Sequence, residues 1–466
     1  MKKKIVFITI YLLACLAPLC TFWLSDDTSA SEKRELSAFP EALNAEGQIN
    51  TAFFTEFDAW FSDHMGGRSY LVQAQTLMKE KLFMESAESS VILGQNGWLF
   101  YEKTGDDYCN VHLLSERNAE NVAHSLSMVQ KYCDEQGAEF IFTVAPNKNT
   151  LYPDNMPARY IKVQGKSNLD VLTEALERNG VHYADLKAAF LLEPRVLYQA
   201  RDSHWTYEGG MLAYRTIIGS LTKSSHTVFD GVSFTERADW DADLVNMVYP
   251  NAADNDVQSY ANLDYTFSMK TSVVNDEALV IETFDGAGEG NLLMFRDSFG
   301  NTTWRYFAEA FEKAEFQRGV PYAINSIARL KADTVILEIV ERNLINLAER
   351  APLMPAPIAE IDIVDAFDMS DGKNTMERRE SNGFCHIYGM IDEAYLGTDY
   401  RVFAVVDDGE GRTFYEAFPI YEKELLGTTN TNDNGYSCYL PSDIPESATI
   451  GILVKTAGMY FYDDMR

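Results

Sequence analysis

The sequence predicts an α/β body followed by a small β-sandwich, and three observations carry that reading. Short apolar runs alternate with stretches of helical period through most of the chain. A cluster of prolines, Pro352, Pro355 and Pro357, then interrupts the pattern. Beyond it come short strand-like segments punctuated by turn signals.

Each element follows from its residues. Ser115 caps a helix whose apolar positions Val122, Leu126, Val129 and Cys133 recur at helical spacing, with its end near Gly137. Residues 140–144 are a short apolar run and read as a buried strand. Ser167 and Asp170 have the spacing of a capping box, the helix they open closes at Gly180, and 181–183 read as the next strand. The runs 291–295 and 334–337 repeat the type. Such runs between helices imply a parallel sheet with helices on both faces. Ligands of such sheets bind beyond the carboxyl ends of the strands. In the tail, 401–406, the turn Asp408-Gly409 and 412–418 read as a hairpin, and 435–440 and 449–455 continue the short strands. The expected organisation is a leader over 1–30, a body over 31–350 and a sandwich over 351–466. No internal repeat or low-complexity segment interrupts it.

Lys2, Lys3 and Lys4 precede an apolar run over 5–24, long enough for a helix to cross a bilayer with its basic end in the cytoplasm. This favours an uncleaved anchor. A cleaved signal peptide is the rival, with Thr28-Ser29-Ala30 as the small residues of a cleavage site. Either way the remaining chain lies outside the cytoplasm, on the outer membrane face or secreted. No other segment reads as a span.

The 466 residues carry 39 Lys and Arg against 70 Asp and Glu, a net charge of -31. That balance argues against nucleic acid as a partner, because phosphate binding needs clustered cations. Of six cysteines, Cys15 and Cys20 fall in the leader. For the rest, two readings stand: bonds Cys109–Cys133 and Cys385–Cys438, which export permits, or free buried thiols. There is no CxxC, HExxH or close His/Cys cluster, so neither a metal nor another cofactor is expected.

The chemistry gathers in two places. Asp202 and His204 flank Ser203 just before a helix over 207–221. In extended backbone residues i and i+2 point the same way, so the carboxylate can orient the imidazole as in a serine triad. A surface Asp-x-His pair is the plainer alternative. The second place, Arg296-Asp297-Ser298-Phe299-Gly300-Asn301, begins where the strand 291–295 ends. A serine at a strand-to-helix turn is lifted toward solvent beside free backbone N–H groups, although serines there also serve as helix caps. The two places fall at the same predicted sheet edge and supply complementary parts of one device.

On these residues the chain resembles the DHHW proteins and the alginate O-acetyltransferase (AlgX/AlgJ-like) group, SGNH-hydrolase-like enzymes of cell-surface polysaccharide modification. Further blocks carry the resemblance, which covers roughly 31–343: Glu32 to Leu36 with Pro40, Phe61 to His64 with Arg68, Val91 to Gly94, Gly97 to Tyr101, Pro146-Asn147-Lys148, Tyr152-Pro153-Asp154, and Ile339 to Asn343. The resemblance implies a flavodoxin-like, SGNH-type parallel sheet. It implies Ser298 as nucleophile, His204 as general base and Asp202 as the residue that orients it, with backbone N–H groups near Ser298 and Phe299 for the oxyanion. It also implies a cell-envelope polysaccharide as acceptor and a multi-pass membrane O-acyltransferase partner that passes acetyl groups outward.

Ser203 stands where the family signature has a second His, and its side chain is expected to face away from its neighbours'. Asn147 or Lys148 either approaches the oxyanion or holds its own turn. Arg296 either lines the site for an anionic substrate or pairs with a nearby acid, and Trp205 either stacks on a sugar or packs beside the site. Tyr415, Tyr436, Tyr439, Tyr460 and Tyr462 give the tail either a carbohydrate-binding face or a core. The function expected is extracytoplasmic O-acetyl transfer. Two alternatives are an acetyl esterase using the same triad with water, and a surface glycan-binding or scaffold protein without turnover.

Overall fold

The computed structural model describes residues 37–43, 48–64, 88–222, 229–249, 255–270, 275–362, 366–369, 372–421, 423–426, 433–445 and 447–465, with a few short stretches before residue 87. Most of the apolar run 5–24, together with Cys15 and Cys20, lies outside the described residues, and so does Arg68. Among the described residues no helix is long and apolar enough to cross a membrane.

A hairpin of β1 (Val91–Leu93) and β2 (Leu99–Tyr101) leads into the body. The central sheet has seven strands: β3 (Glu139–Ala145), β4 (Tyr183–Ala184), β7 (Ser268–Met269), β8 (Val280–Phe284), β9 (Asn291–Phe295), β10 (Lys313–Gln317) and β11 (Thr334–Val340). A separate hairpin pairs β5 (Phe234–Trp240) with β6 (Asp256–Ala261). The order across the sheet is β4-β3-β11-β9-β10-β8-β7. The first five strands are parallel, and β8 and β7 extend them antiparallel. The parallel sheet read from the sequence lies within these five strands, and the two antiparallel edge strands add to it. Strand β8 reads as alternating rather than continuously apolar, because only Ile281 and Thr283 turn inward.

Alternation along the strands sends neighbouring side chains to opposite faces. Phe140, Phe142, Leu293, Phe295, Val335 and Leu337 meet α1 (Glu116–Glu135) and α2 (Asn168–Arg178) on one side. Ile141, Leu292, Met294 and Ile336 meet α3 (Leu186–Leu192), α4 (Tyr207–Ser220) and, after the short α5 (Asp243–Val248), α6 (Trp304–Ala310) on the other. Each large apolar side chain fully buried this way contributes about 1.5–3 kcal/mol. The caps read from the sequence form: Ser115 accepts from the Asn118 N–H, and Ser167 and Asp170 complete a capping box.

In the tail, β-strands Glu377–Ser381, Phe384–Met390, Arg401–Asp407, Arg412–Ile420, Gly435–Leu440, Thr449–Thr456 and Met459–Asp463 form one strand-rich sheet that folds over itself. The long strand Arg412–Ile420 makes the fold, pairing along Val402–Asp407 with its first part and with Gly435–Ser437 through its end. Between the layers lie Ile387, Val402, Ala404, Tyr436, Cys438 and Ile452. This is the expected small β-sandwich.

The proline-rich stretch is stitched down rather than free. The Leu353 N–H donates to Tyr322, the Ala356 N–H to Tyr439, and the Pro357 carbonyl accepts from the Glu416 N–H. Met354, Phe418, Ile420, Tyr421 and Tyr439 share one apolar core with α1. His124 on α1 meets Glu416 at 2.7 Å, and Arg117 meets Asp433 at 2.9 Å. Tyr436 and Tyr439 are therefore core residues, the second stacked 4.4 Å from His386. Cys109, Cys133, Cys385 and Cys438 are all free thiols, so the structure supports that reading over the two disulfides. Burial pushes the thiols of Cys133 and Cys438 far up, as expected for inert packing groups.

Candidate active site

Three parallel strands end at one rim and deliver the site. Ser298 follows β9, Asn147 and Lys148 follow β3, and Arg342 follows β11. Ser298 lies at the N-terminus of a 3-10 turn, Phe299–Thr302, and its hydroxyl makes no capping hydrogen bond. Instead Ser298 Oγ lies 2.9 Å from His204 Nε2. His204 Nδ1 lies 2.8 Å from Asp202 Oδ1, which also accepts from the His204 backbone N–H at 2.9 Å. The other Asp202 oxygen accepts from Trp240 Nε1 and from the Asp243 N–H, each at 3.0 Å. Asp202 is buried, while Ser298 and His204 are partly exposed.

The loop carrying Asp202 and His204 is closed by backbone pairing. Tyr198 bridges Trp205, the Gln199 N–H donates to the His204 carbonyl, and Thr206 caps α4. Inside this loop Lys148 Nζ donates to the carbonyls of Gln199, Ala200 and Asp202 at 3.0, 3.1 and 2.6 Å. Burial pushes its ammonium down to about 7, against the upward pull of Asp202 and Asp243. Helix α4 approaches the turn that carries Ser298 through Gly210, where a Cβ would stand 2.8 Å from Thr302 Oγ1. Any side chain there would drive the His204 and Ser298 elements apart.

Electrostatics separate the two titrating members. Burial pushes the His204 imidazole down, but the Asp202 hydrogen bond and charge, with Asp243, outweigh it and raise the pKa above 6.5. Burial pushes Asp202 up, yet the hydrogen bond and charge of His204 and two backbone N–H groups hold it well below the usual carboxylate range. Asp202 thus stays ionised while His204 takes a proton readily, the division a base-and-orienter pair needs.

The structure assigns the other predicted residues elsewhere. Ser203 does not face away: its Oγ donates to Asp243 Oδ2 at 2.5 Å and lies 3.2 Å from His204 Nδ1. The Phe299 N–H is not open to an oxyanion, because Asp297 Oδ1 accepts it at 2.8 Å while Oδ2 accepts the Val340 N–H at 2.7 Å. Asn147 is engaged below the rim, its Nδ2 donating to Asp107 and its N–H to Glu341. Arg296 is buried rather than lining the site, and among the described residues it makes no ion pair. Its guanidinium donates to Asn301 Oδ1 and to the carbonyls of Asp276, Ala278 and Asp297, and Gly300 leaves space for its stem. Trp205 is buried and stacked on Phe190, its Nε1 donating to the Phe299 carbonyl and Thr302 Oγ1. It packs, and it pins the histidine segment to the serine turn.

Trp240 and Asp243 contact Asp202, Ser203 and His204, and Arg342 faces the Phe299 ring; the sequence reading singles out none of the three as a site residue. Asp202, His204 and Asp243 also present oxygens and a nitrogen within 4.8 Å of one another, a spacing that a metal ion would accept. Each of these atoms already has a proton donor or acceptor in the relay, which accounts for the cluster without an ion.

A serine, an imidazole and an ionised carboxylate meet at the carboxyl edge of the parallel strands, an arrangement similar to that of serine-dependent acyl-transfer enzymes. Residues 91–316 match the family model described as SGNH hydrolase-like domain, acetyltransferase AlgX, and the chain resembles the AlgX, AlgJ and DHHW proteins as its sequence implies. Among solved structures, Bacillus cereus PatB1 aligns at 15% identity over 55% of this chain and 96% of its own, with a TM-score of 0.43. A DHHW family protein from Eubacterium siraeum aligns at 14% identity over 55% and 94%, with a TM-score of 0.39. Pseudomonas aeruginosa AlgX aligns at 11% identity over 78% and 94%, with a TM-score of 0.36. No curated protein matches the chain.

Proposed function

We propose that the protein is an extracytoplasmic O-acetyltransferase that acylates a cell-envelope polysaccharide through Ser298, His204 and Asp202. The observation that carries this reading is the continuous hydrogen-bond relay from Ser298 Oγ through His204 to the buried Asp202. The match to an acetyltransferase family model supports the choice of acyl group.

The steps balance on these atoms. Ser298 Oγ attacks the carbonyl carbon of an acetyl ester as its proton moves to His204 Nε2. The tetrahedral intermediate collapses, the donor alkoxide takes that proton, and an acetyl-serine remains. A sugar hydroxyl then gives its proton to His204 and attacks the acetyl carbon, and the proton returns to Ser298 as the acetylated sugar leaves. Asp202 remains a carboxylate, and fixes the Nδ1–H tautomer of His204 throughout. The partner that delivers acetyl groups is a membrane-bound O-acyltransferase, and the basic, apolar leader keeps the enzyme beside it at the outer membrane face.

The test is turnover of a chromogenic acetyl ester with and without an oligosaccharide acceptor. Acetylated oligosaccharide formed in preference to acetate is expected. Acetate alone at every acceptor concentration would make the protein an esterase, and no turnover would leave a surface protein without catalysis.

A further inference from the structure

Resting on that reading, we infer that Arg342 is a catalytic oxyanion donor, acting with the Ser298 backbone N–H on the carbonyl oxygen of the acyl group. The donors around Ser298 can be accounted for one by one. The Phe299 N–H, which an SGNH-type turn would aim at the oxyanion, is consumed by Asp297 Oδ1. Lys148 is spent on three backbone carbonyls, and the two terminal nitrogens of Arg296 on Asn301 and backbone carbonyls; its Nε has no partner among the described residues but is buried away from any ligand. The Ser298 N–H has no acceptor among the described residues. One backbone donor facing a full negative charge is a weak site, since each donor typically contributes a factor of about 10²–10³.

Arg342 supplies what is missing. It is partly buried two residues beyond the end of β11, and Val340 at that end is tied to Asp297 beside the nucleophile. Its guanidinium stands 5.6 Å from the Phe299 ring centre and 5.4 Å from that of Tyr101, and the Phe299 ring lies 5.0 Å from the His204 ring. Cation–π contact with two rings leaves N–H groups of the guanidinium able to donate. Among the described residues no carboxylate pairs with it, although acids outnumber bases 70 to 39 along the chain. A partly desolvated cation without a counter-charge fits a site whose anion appears only during reaction. Its charge also reaches the base, pushing His204 down against the stronger upward pull of Asp202.

The experiment measures the rate of Ser298 acetylation by p-nitrophenyl acetate in the full-length protein, Arg342→Gln and Arg342→Lys, with melting temperatures as the folding control. Acetyl-serine is quantified by peptide mass spectrometry, and acceptor KM is measured with one neutral and one uronate-containing oligosaccharide. Arg342→Gln should acylate about 10²–10³-fold more slowly at unchanged melting temperature, with Arg342→Lys recovering part of the rate. The acidic limb of its pH profile should move upward, a change that loss of packing alone would not produce. Wild-type acylation in Arg342→Gln overturns the inference. So does a defect confined to the KM of the uronate acceptor, which makes Arg342 an acceptor-binding residue. If the wild-type protein forms no acetyl-Ser298, it is the parent reading that fails, and the Arg342 inference falls with it.

Discussion

Ser203 is joined to Asp243 twice, its N–H donating to Oδ1 at 2.8 Å and its hydroxyl to Oδ2 at 2.5 Å. The residue between Asp202 and His204 therefore anchors a second carboxylate 3.7 Å from His204 Nδ1. Asp202 holds the imidazole tautomer, and Asp243 adds charge behind it. Asp243 itself is pushed up, first by burial and then by the charge of Asp202, so the two acids share one cation.

That arrangement sets a pH dependence. His204 must be neutral to act as base, and the charge of Asp243 pushes its pKa up. Activity therefore falls with acidity earlier than an unperturbed histidine would dictate. Asp243→Asn removes an upward push while keeping an acceptor for Ser203. We expect the acidic limb of kcat/KM to move to lower pH with the plateau nearly kept, read from ester turnover across the pH range. A limb that stays in place, or moves to higher pH, would contradict the role given to Asp243.

Asp202→Asn should be far more damaging. The amide cannot favour the Nδ1–H tautomer that aims His204 Nε2 at Ser298, and the analogous change in a serine protease costs about 10⁴ in kcat. A loss of about 10³-fold or more is expected from steady-state kinetics, with a folded protein by circular dichroism. A variant within tenfold of wild type would show that Asp202 does not orient the base.

Lys148 acts one step further back, as the positioning residue of the 199–202 loop. Lys148→Met removes a donor from three carbonyls; Ala200 keeps the Leu99 N–H, while those of Gln199 and Asp202 lose the ammonium, at about 1–3 kcal/mol for each buried group left unpaired. A lower melting temperature and a reduced kcat, with KM for a small ester little changed, are the expected outcome. Unchanged stability would mean that water replaces the ammonium at no cost.

The tail is predicted to be inseparable from the body. Phe418, Ile420, Tyr421 and Tyr439 cover α1 as members of its own core. A chain truncated after residue 350 should expose that surface and aggregate or lose its cooperative melt. A monodisperse, cooperatively folding 31–350 fragment by size exclusion and calorimetry would refute the shared core.

The sequence carried the parts of the site that local pattern encodes. Ser298 at a strand end and the Asp202–His204 spacing are short-range features, and one α/β rule places both at the same edge. The parts it hid depend on distant partners. Asp243 reaches Ser203 across 40 positions, and Trp240 sits at the end of a half-exposed hairpin whose alternation gives no catalytic signal. Asp297 looked like a neighbour of the nucleophile, and only the close parallel strand β11 shows that it takes the Phe299 N–H. The antiparallel strand β8 escaped because a partly exposed strand lacks the continuous apolar run that marked the others. The shared core of body and tail escaped because three prolines interrupt the sequence pattern there, whereas Met354 between them is fully buried.

The central claim, that Ser298 is a nucleophile activated by His204, is tested most directly by covalent labelling. The intact protein is treated with phenylmethylsulfonyl fluoride, and the modified peptide is mapped by mass spectrometry. One adduct is expected, on Ser298, forming at least about 100-fold more slowly in His204→Ala, as removal of a general base requires. An unlabelled native protein, or labelling that persists on another serine in Ser298→Ala, would contradict the account.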